Sequence, residues 1–324
     1  MLATAKPQRT GLGLSPLLGR CFGGCVRRCA GAGSGGAFAS APPPLQRRAW
    51  QHTQALDAQA DGHGAPSSTR DAHDTSTAGV FSASIASIER LTPTVQGFRF
   101  AVSATARDAA SFAPGQWVDL FVDGLERPGG FSIVSSPEEL RRQGTLTLAV
   151  KASSSPVVGW LHSEARVGSR VRMRVGGKFV WDAAAADARR PLLLVAGGVG
   201  LTPLLSILRS AAAQPPNSRP NLALLLSAQT ADELLYREEI GERVAAGELE
   251  HCALHCTRGG GEAAAGKGAE LRHGRIDKAA LEGALRALSG PVAYICGPPA
   301  LCGAVEAALT ELGLPAADIR RERW

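Results

Sequence analysis

At 324 residues the chain has room for about two domains. Hydrophobic residues make up 44% and charged residues 20%, which is enough apolar side chain for cores and excludes a chain disordered throughout; seven cysteines are too few for a disulfide-built fold. The net charge of +6 sits in one place: residues 1–56 hold Lys6, Arg9, Arg20, Arg27, Arg28, Arg47 and Arg48 and no acid, which leaves the remainder at −1, without the positive field a nucleic-acid-binding body needs.

An Arg-rich, acid-free N-terminus predicts a mitochondrial transit peptide over residues 1–48, hence a mitochondrial and most simply a matrix protein. Gly13 and Pro16 interrupt Leu12–Leu18, so no secretory apolar core forms there. Cys21, Cys25 and Cys29 would share a helical stripe, but a metal site needs a fourth ligand and a fold to hold it. Residues 49–77 are polar and read as a disordered linker.

From Val80 the pattern is one of short strands: Val80–Ile88, Val95–Val102, Trp117–Val122, Phe131–Val134, Thr145–Lys151 and Arg170–Val175, with Gly and Pro turns between them and one helical piece at Pro156–His162. That spacing predicts a small antiparallel barrel or sandwich. From Pro191 the period changes. Strands are expected at Leu192–Ala196, Leu222–Ser227, Leu249–Thr257 and Val292–Cys296, and helices at Thr202–Ala212, Ala231–Val244, Asp277–Leu288 and Pro299–Leu312, with a short last segment at Asp318–Arg323. Apolar strands alternating with helices predict a parallel sheet covered on both faces. Pro191–Leu208 is uncharged over 18 residues, but Gly197, Gly198, Gly200 and Pro203 fit a strand, a turn and a helix better than a membrane span.

Three motifs carry chemistry. Gly197-Gly198-Val199-Gly200-Leu201-Thr202-Pro203 follows a strand and opens a helix; its glycines allow backbone to approach a phosphate, and the helix N-terminus favours an anion. Thr202 is the expected N-cap and Pro203 suits the first turn. The run has neither a Walker lysine nor the Gly-x-Gly-x-x-Gly spacing, so by itself it is equally a tight structural turn. Ile295-Cys296-Gly297-Pro298-Pro299-Ala300 ends another strand before another helix, and two such turns at strand C-termini form one lip for a ligand. Cys296 could equally be a small buried apolar residue. The third run, Gly129-Gly130-Phe131-Ser132-Ile133-Val134-Ser135-Ser136-Pro137, offers an aromatic and a hydroxyl to a planar ring, or else a β-turn with a buried Phe.

These motifs, in this order, resemble the ferredoxin–NADP⁺ reductase superfamily of flavin-dependent reductases over about Ala78–Trp324, as do Ser227–Glu239 and the end Glu322-Arg323-Trp324. The resemblance implies an antiparallel flavin-binding β-barrel (78–185) followed by a parallel-sheet α/β domain (189–324) for NAD(P)H, with hydride passing from nicotinamide to FAD or FMN and electrons going on to a separate, unidentified acceptor. It implies that Phe131, beside Gly130, packs on the flavin and Ser132 bonds near its reactive nitrogen. Gly197, Gly198 and Gly200, with Val199, Leu201, Thr202 and Pro203, would face the dinucleotide phosphates. Cys296, Gly297 and Pro298 would shape the nicotinamide pocket, and Glu322 and Trp324 would close the contact between the rings.

The chain departs from the family pattern at three places. Arg127 stands four residues before Phe131 rather than two, so Lys151, Ser153 and Ser154, ahead of Ser155 and the helix at Pro156, are substitute flavin-phosphate ligands. Leu301 replaces the usual Met. Gln229, at the end of the second nucleotide strand, brings no charge for a 2′-phosphate, which favours NADH over NADPH. The alternative reading is a catalytically degenerate reductase fold acting as a nucleotide-binding interaction or assembly factor.

His251-Cys252-Ala253-Leu254-His255-Cys256 looks metal-like, but on a strand its cysteines and histidines face opposite ways. The chain has no plant-type iron–sulfur cysteine spacing and no hydrolase motif.

Overall fold

A computed structural model describes residues 79–259 and 269–323. The transit peptide and linker expected over 1–77, and Trp324, lie outside the described residues. Those described all belong to one compact unit, His73–Trp324.

The first half is built from β1 (Val80–Arg90), β2 (Val95–Val102), β3 (Trp117–Phe121), β4 (Gly129–Ser132), β5 (Thr145–Lys151) and β6 (Arg170–Gly176). They form an antiparallel sheet in the order β4-β3-β6-β1-β2-β5. Its two edges meet: Ile133, just past β4, bridges Leu148 of β5, and the Val134 amide donates to the Thr147 carbonyl, so the sheet closes into a barrel. Inward residues are apolar and buried, Phe98, Phe100, Val118, Leu120, Leu146, Leu148 and Met173 among them. Two helices flank the barrel strands, α1 (Pro137–Gln143) and α2 (Pro156–Ser163).

The second half has β7 (Leu192–Gly197), α3 (Leu201–Ala212), β8 (Leu222–Ala228), α4 (Arg237–Ala245), β9 (His251–Cys256), β10 (Glu270–His273), α5 (Lys278–Ala287), β11 (Val292–Gly297), α6 (Pro299–Glu311) and β12 (Ile319–Arg323). The sheet is parallel in the order β10-β9-β8-β7-β11-β12. Helices α3 and α4 pack on one face and α5 and α6 on the other, so β7, β8 and β11 are apolar on both sides. The chain leaves β7 towards β8 on one side and returns through β11 on the other; the crevice beyond the C-terminal ends of β7 and β11 is therefore the switch point where open α/β sheets take ligands. Val134, Ala149, Phe179 and Trp181 of the first half join the core beneath α3, and this shared core fixes the barrel to the α/β sheet. The uncharged stretch 191–208 is β7, a turn and α3, and no helix among the described residues is long and apolar enough to cross a membrane.

Three local expectations need correction. Thr202 is not the N-cap of α3: the cap is Gly200, and the Thr202 hydroxyl lies inside the helix, donating to the Val199 carbonyl at 2.7 Å. The helix expected over 231–244 is broken, because Leu234 and Leu235 turn into the core and Tyr236 takes a left-handed conformation at φ 51° before α4 begins. The strand expected over 249–257 is shorter, at His251–Cys256, and it does alternate: Cys252, Leu254 and Cys256 lie on the α3/α4 side and Ala253 on the other.

Candidate functional site

The lip between β7 and β11 is assembled from backbone. A side chain on Gly200 would place its Cβ 2.2 Å from the Cys296 carbonyl oxygen, and one on Gly197 would stand 2.9 Å from the Pro298 ring. These two glycines serve the contact between the turns. Gly198 differs: at φ 54° with no neighbour within 4 Å, it faces open space at the start of α3. Val199 is half-buried, and Leu201, Thr202 and Pro203 are buried in the first turn of α3, whose N-cap offers no side-chain hydrogen bond. The Leu201 amide already donates to the Gly198 carbonyl and Pro203 has none, so what this turn offers an anion is the positive end of the α3 dipole beside the open Gly198.

Cys296 is 1% exposed, and burial, with Glu322 and Cys302 nearby, raises its thiol well above the ordinary range. The group is therefore a neutral thiol at the wall of the lip rather than a thiolate nucleophile. Glu322 is half-buried and stands opposite Cys296 in the β11–β12 register. Gly297 and Pro298 complete the turn, Pro298 as the residue that opens α6.

On the barrel, Phe131 and Ser132 end β4. The Phe131 ring folds back over its own strand: a Cβ on Gly129 would lie 2.6 Å from the ring and 2.9 Å from Val157 of α2. The ring thus occupies the space that a longer side chain two residues before the aromatic would need. Gly130 is exposed, opposite Asp119, which is salt-bridged to Arg174 at 3.0 Å. The Ser132 hydroxyl is half-buried and makes no hydrogen bond with the described residues. Trp117, expected from the sequence only as the start of a strand, lies opposite Ser132 in the β3–β4 register, and its indole fills the space a Cβ would take at both Gly176 and Gly177. The glycine pair at the end of β6 was the available signal.

Two cavities border these elements. One, of about 480 Å³, is lined by residues 124–128, Arg127 among them, and by Ser155, Pro156 and Val157 at the start of α2. The Arg127 guanidinium is exposed and unpaired among the described residues, and the Ser155 side chain does not cap the helix. Arg127 and an uncapped helix N-terminus line one cavity, with Glu126 also on its lining, and the first two are groups that suit a phosphate. Lys151, Ser153 and Ser154 are exposed beside this cavity in sequence but do not line it; Ser153 instead accepts from the Ser155 amide at 3.4 Å.

The other cavity, of about 200 Å³, lies past the ends of β8, β9 and β10 and is lined by residues that include Thr230, Asp232, Cys256, Arg258 and His273. The Arg258 amide donates to the Gln229 carbonyl at 2.7 Å, which brings an exposed guanidinium, unpaired among the described residues, to the strand end where Gln229 brought no charge. Sequence reasoning missed Arg258 because it considered only the end of β8; the adjacent end of β9 was the place to look.

The two halves converge on α3. Gly200 at its N-terminus touches Cys296, and Ser206, about 9 Å further along the helix axis, donates to the Ser135 carbonyl at 2.8 Å, three residues past Ser132.

Residues 194–307 match the family model described as "Oxidoreductase NAD-binding domain". The chain is 36% identical over 241 residues to the human protein "Oxidoreductase NAD-binding domain-containing protein 1", covering 72% of this chain and 76% of that one. To the Danio rerio protein of the same name it is 36% identical over 255 residues, covering 76% and 92%. Among solved structures, a ferredoxin NADP⁺ reductase from Neisseria gonorrhoeae with bound FAD and NADP superposes with a TM-score of 0.60 at 19% identity, over 76% of this chain and 99% of that one. The flavohem-like FAD/NAD binding domain of nitric oxide dioxygenase from Vibrio cholerae gives 0.59 at 19%, over 75% and 98%. The fold is that of the ferredoxin reductase-like proteins, and the chain belongs to the oxidoreductase NAD-binding domain-containing protein 1 family.

Proposed function

We propose that the protein is a mitochondrial flavin-dependent NAD(P)H oxidoreductase. The observation that carries this reading is a pair of sites, one on each half: a cavity on the barrel at Arg127 and the α2 N-terminus, and a glycine lip on the α/β sheet, whose helix α3 also grips the segment that follows Ser132. The flavin, FAD or FMN, would accept hydride from the nicotinamide and release electrons to a separate acceptor.

The chain's own residues supply position. Arg127 and the amides at the start of α2 hold the flavin phosphate, with Lys151, Ser153 and Ser154 as an outer polar rim. Phe131 with Val157 forms an apolar wall beside Gly130, and the Ser132 hydroxyl, with no partner among the described residues, is a donor for the flavin ring near its reactive nitrogen. Gly198 and the first turn of α3 meet the dinucleotide phosphates. Cys296, Gly297 and Pro298 would back the nicotinamide with Glu322 beside them; a role for Trp324 over the rings is what the family resemblance implies. Aligning two rings so that hydride moves over a short distance is the catalytic contribution expected of such a site. Arg258 supplies charge for a 2′-phosphate, so NADPH is accepted alongside NADH, for which Gln229 gave a weak preference. The Arg-rich residues 1–48 direct the chain to mitochondria.

A second reading, a nucleotide-binding interaction or assembly factor without turnover, is favoured by one observation: the Phe131 ring lies where a basic side chain at position 129 would run. Flavin uptake by the unsubstituted protein separates the two, and Ser132→Ala tests the placement of Ser132. The oxidoreductase reading expects slower flavin reduction with NADH binding intact; a protein that takes up no flavin supports the second reading.

A further inference from the structure

We propose that Arg209 is a positioning residue that sets the height of the Ser132 rim against the α3 glycine turn. The inference rests on the flavin reading above and names a residue outside its binding sites.

Arg209 lies on the third turn of α3, with its side chain 18% exposed. Its Nε and Nη2 donate to the two oxygens of Glu239 at 2.9 and 2.6 Å, a fork-to-carboxylate pair that fixes the plane of the guanidinium. The remaining Nη1 reaches across to the barrel half, donating to the Val134 carbonyl at 3.3 Å, with Glu139 of α1 at 3.6 Å. The Tyr236 ring lies 5.7 Å from the guanidinium carbon on the other side. Tyr236 is the one non-glycine residue with positive φ among the described residues, so the chain adopts an unfavourable backbone geometry at the point where that ring meets Arg209. Glu239 is in turn held by Arg243 at 2.9 Å.

Val134 is two residues past Ser132. Ser206, one turn before Arg209 on α3, grips the next carbonyl, that of Ser135, at 2.8 Å. Two donors on one helix thus hold two consecutive carbonyls of the segment that follows Ser132, and the same helix begins at the lip against Cys296. A rigid helix therefore links the two surfaces on which the rings would rest. Ring separation governs hydride transfer steeply, with about 1 Å of misplacement costing on the order of 100-fold. Cutting the grip at Arg209 leaves both binding surfaces in place and loosens only their relation.

The test compares wild type, Arg209→Gln and, should that variant fold poorly, Ser206→Ala, all as full chains. In the variants, reduction of bound FAD by NADH under anaerobic stopped flow should slow at least ~10-fold. The affinities for FAD and for NAD⁺ should stay within a factor of about two, as expected when an interaction outside the binding contacts is lost. The long-wavelength charge-transfer absorbance of the stacked rings should weaken. Without any flavin, hydrogen exchange should rise across residues 133–136 and stay unchanged in β2. Wild-type reduction rates and charge-transfer absorbance in a folded variant would overturn the proposal, as would unaltered exchange at 133–136 in both variants. If the wild type takes up no FAD, the oxidoreductase reading fails by itself, and the exchange measurement still decides whether Arg209 and Ser206 hold the strand.

Discussion

Gly200 and the Cys296 carbonyl are in backbone contact: the space for a side chain on one is filled by the oxygen of the other, 2.2 Å from the ideal Cβ. The two strand-end turns of the α/β sheet therefore form a single wall, and Gly198 stands in front of it with nothing near.

This geometry separates two glycine substitutions. Gly200→Ala forces backbone apart and should cost about 1–3 kcal/mol of stability, read as a lowered melting temperature, with nucleotide affinity falling as the lip distorts. Gly198→Ala meets no atom and pays only for its positive φ, about 1 kcal/mol. Its larger effect should be on NAD⁺ binding, because the new methyl group projects into the ligand's space. Isothermal titration beside thermal melts measures both; equal loss of binding and of stability in the two variants would mean that Gly198 does not face the ligand.

Arg127→Ala should leave the fold intact, since the side chain is exposed and unpaired among the described residues. It should weaken flavin binding by about 10- to 100-fold, the value of a hydrogen bond to a charged group. Fluorescence titration with FAD checks this, and unchanged affinity would move the phosphate elsewhere.

Arg258→Ala should reduce affinity for NADP⁺ and leave that for NAD⁺ within a factor of about two, because the guanidinium pairs only with the extra phosphate. Equal weakening of both would place Arg258 at the shared pyrophosphate instead.

His255 on β9 is 3% exposed, with the Gly274 backbone beside its ring. Burial, with Arg272 alongside, holds its pKa below the ordinary histidine value; Asp277 and Glu270 oppose this without reversing it. Above the ordinary value the ring is neutral in both folded and unfolded chains. As pH falls through that value towards the lowered folded one, the unfolded chain takes the proton first, so stability is lost in that window. The urea midpoint should fall between about pH 7 and about pH 5, and His255→Gln should flatten the slope. A slope that survives the substitution assigns the loss to other groups.

Much of this architecture was legible in the sequence because period carries it. Alternation marked β1, β2 and β5, and continuous apolar runs marked β7, β8 and β11, whose burial on both faces removes any polar side. Where tertiary packing overrode period, the reading failed. Leu234 and Leu235 fit a helix by spacing, yet both are buried in an extended turn before Tyr236. Helix α1 was missed because seven mostly polar residues give no period, although Ser136 and Glu139 form a full capping box that the sequence spells out. Edge strand β10 was missed because three of its four residues are polar or charged and all are at least partly exposed. At the site, the two glycine turns were found from sequence. Arg258 and Trp117 were not, because what matters about them is which strand end or glycine pair they lie beside.

The central claim is that one half of the molecule holds a flavin and the other a nicotinamide, close enough to react. The direct measurement is anaerobic addition of NADH to the purified full chain reconstituted with FAD, following the flavin's visible absorbance. The account predicts a yellow protein that bleaches with about one NADH per flavin, since hydride carries both electrons. A chain that stays colourless after incubation with FAD and with FMN, or a bound flavin that neither NADH nor NADPH reduces, would contradict it.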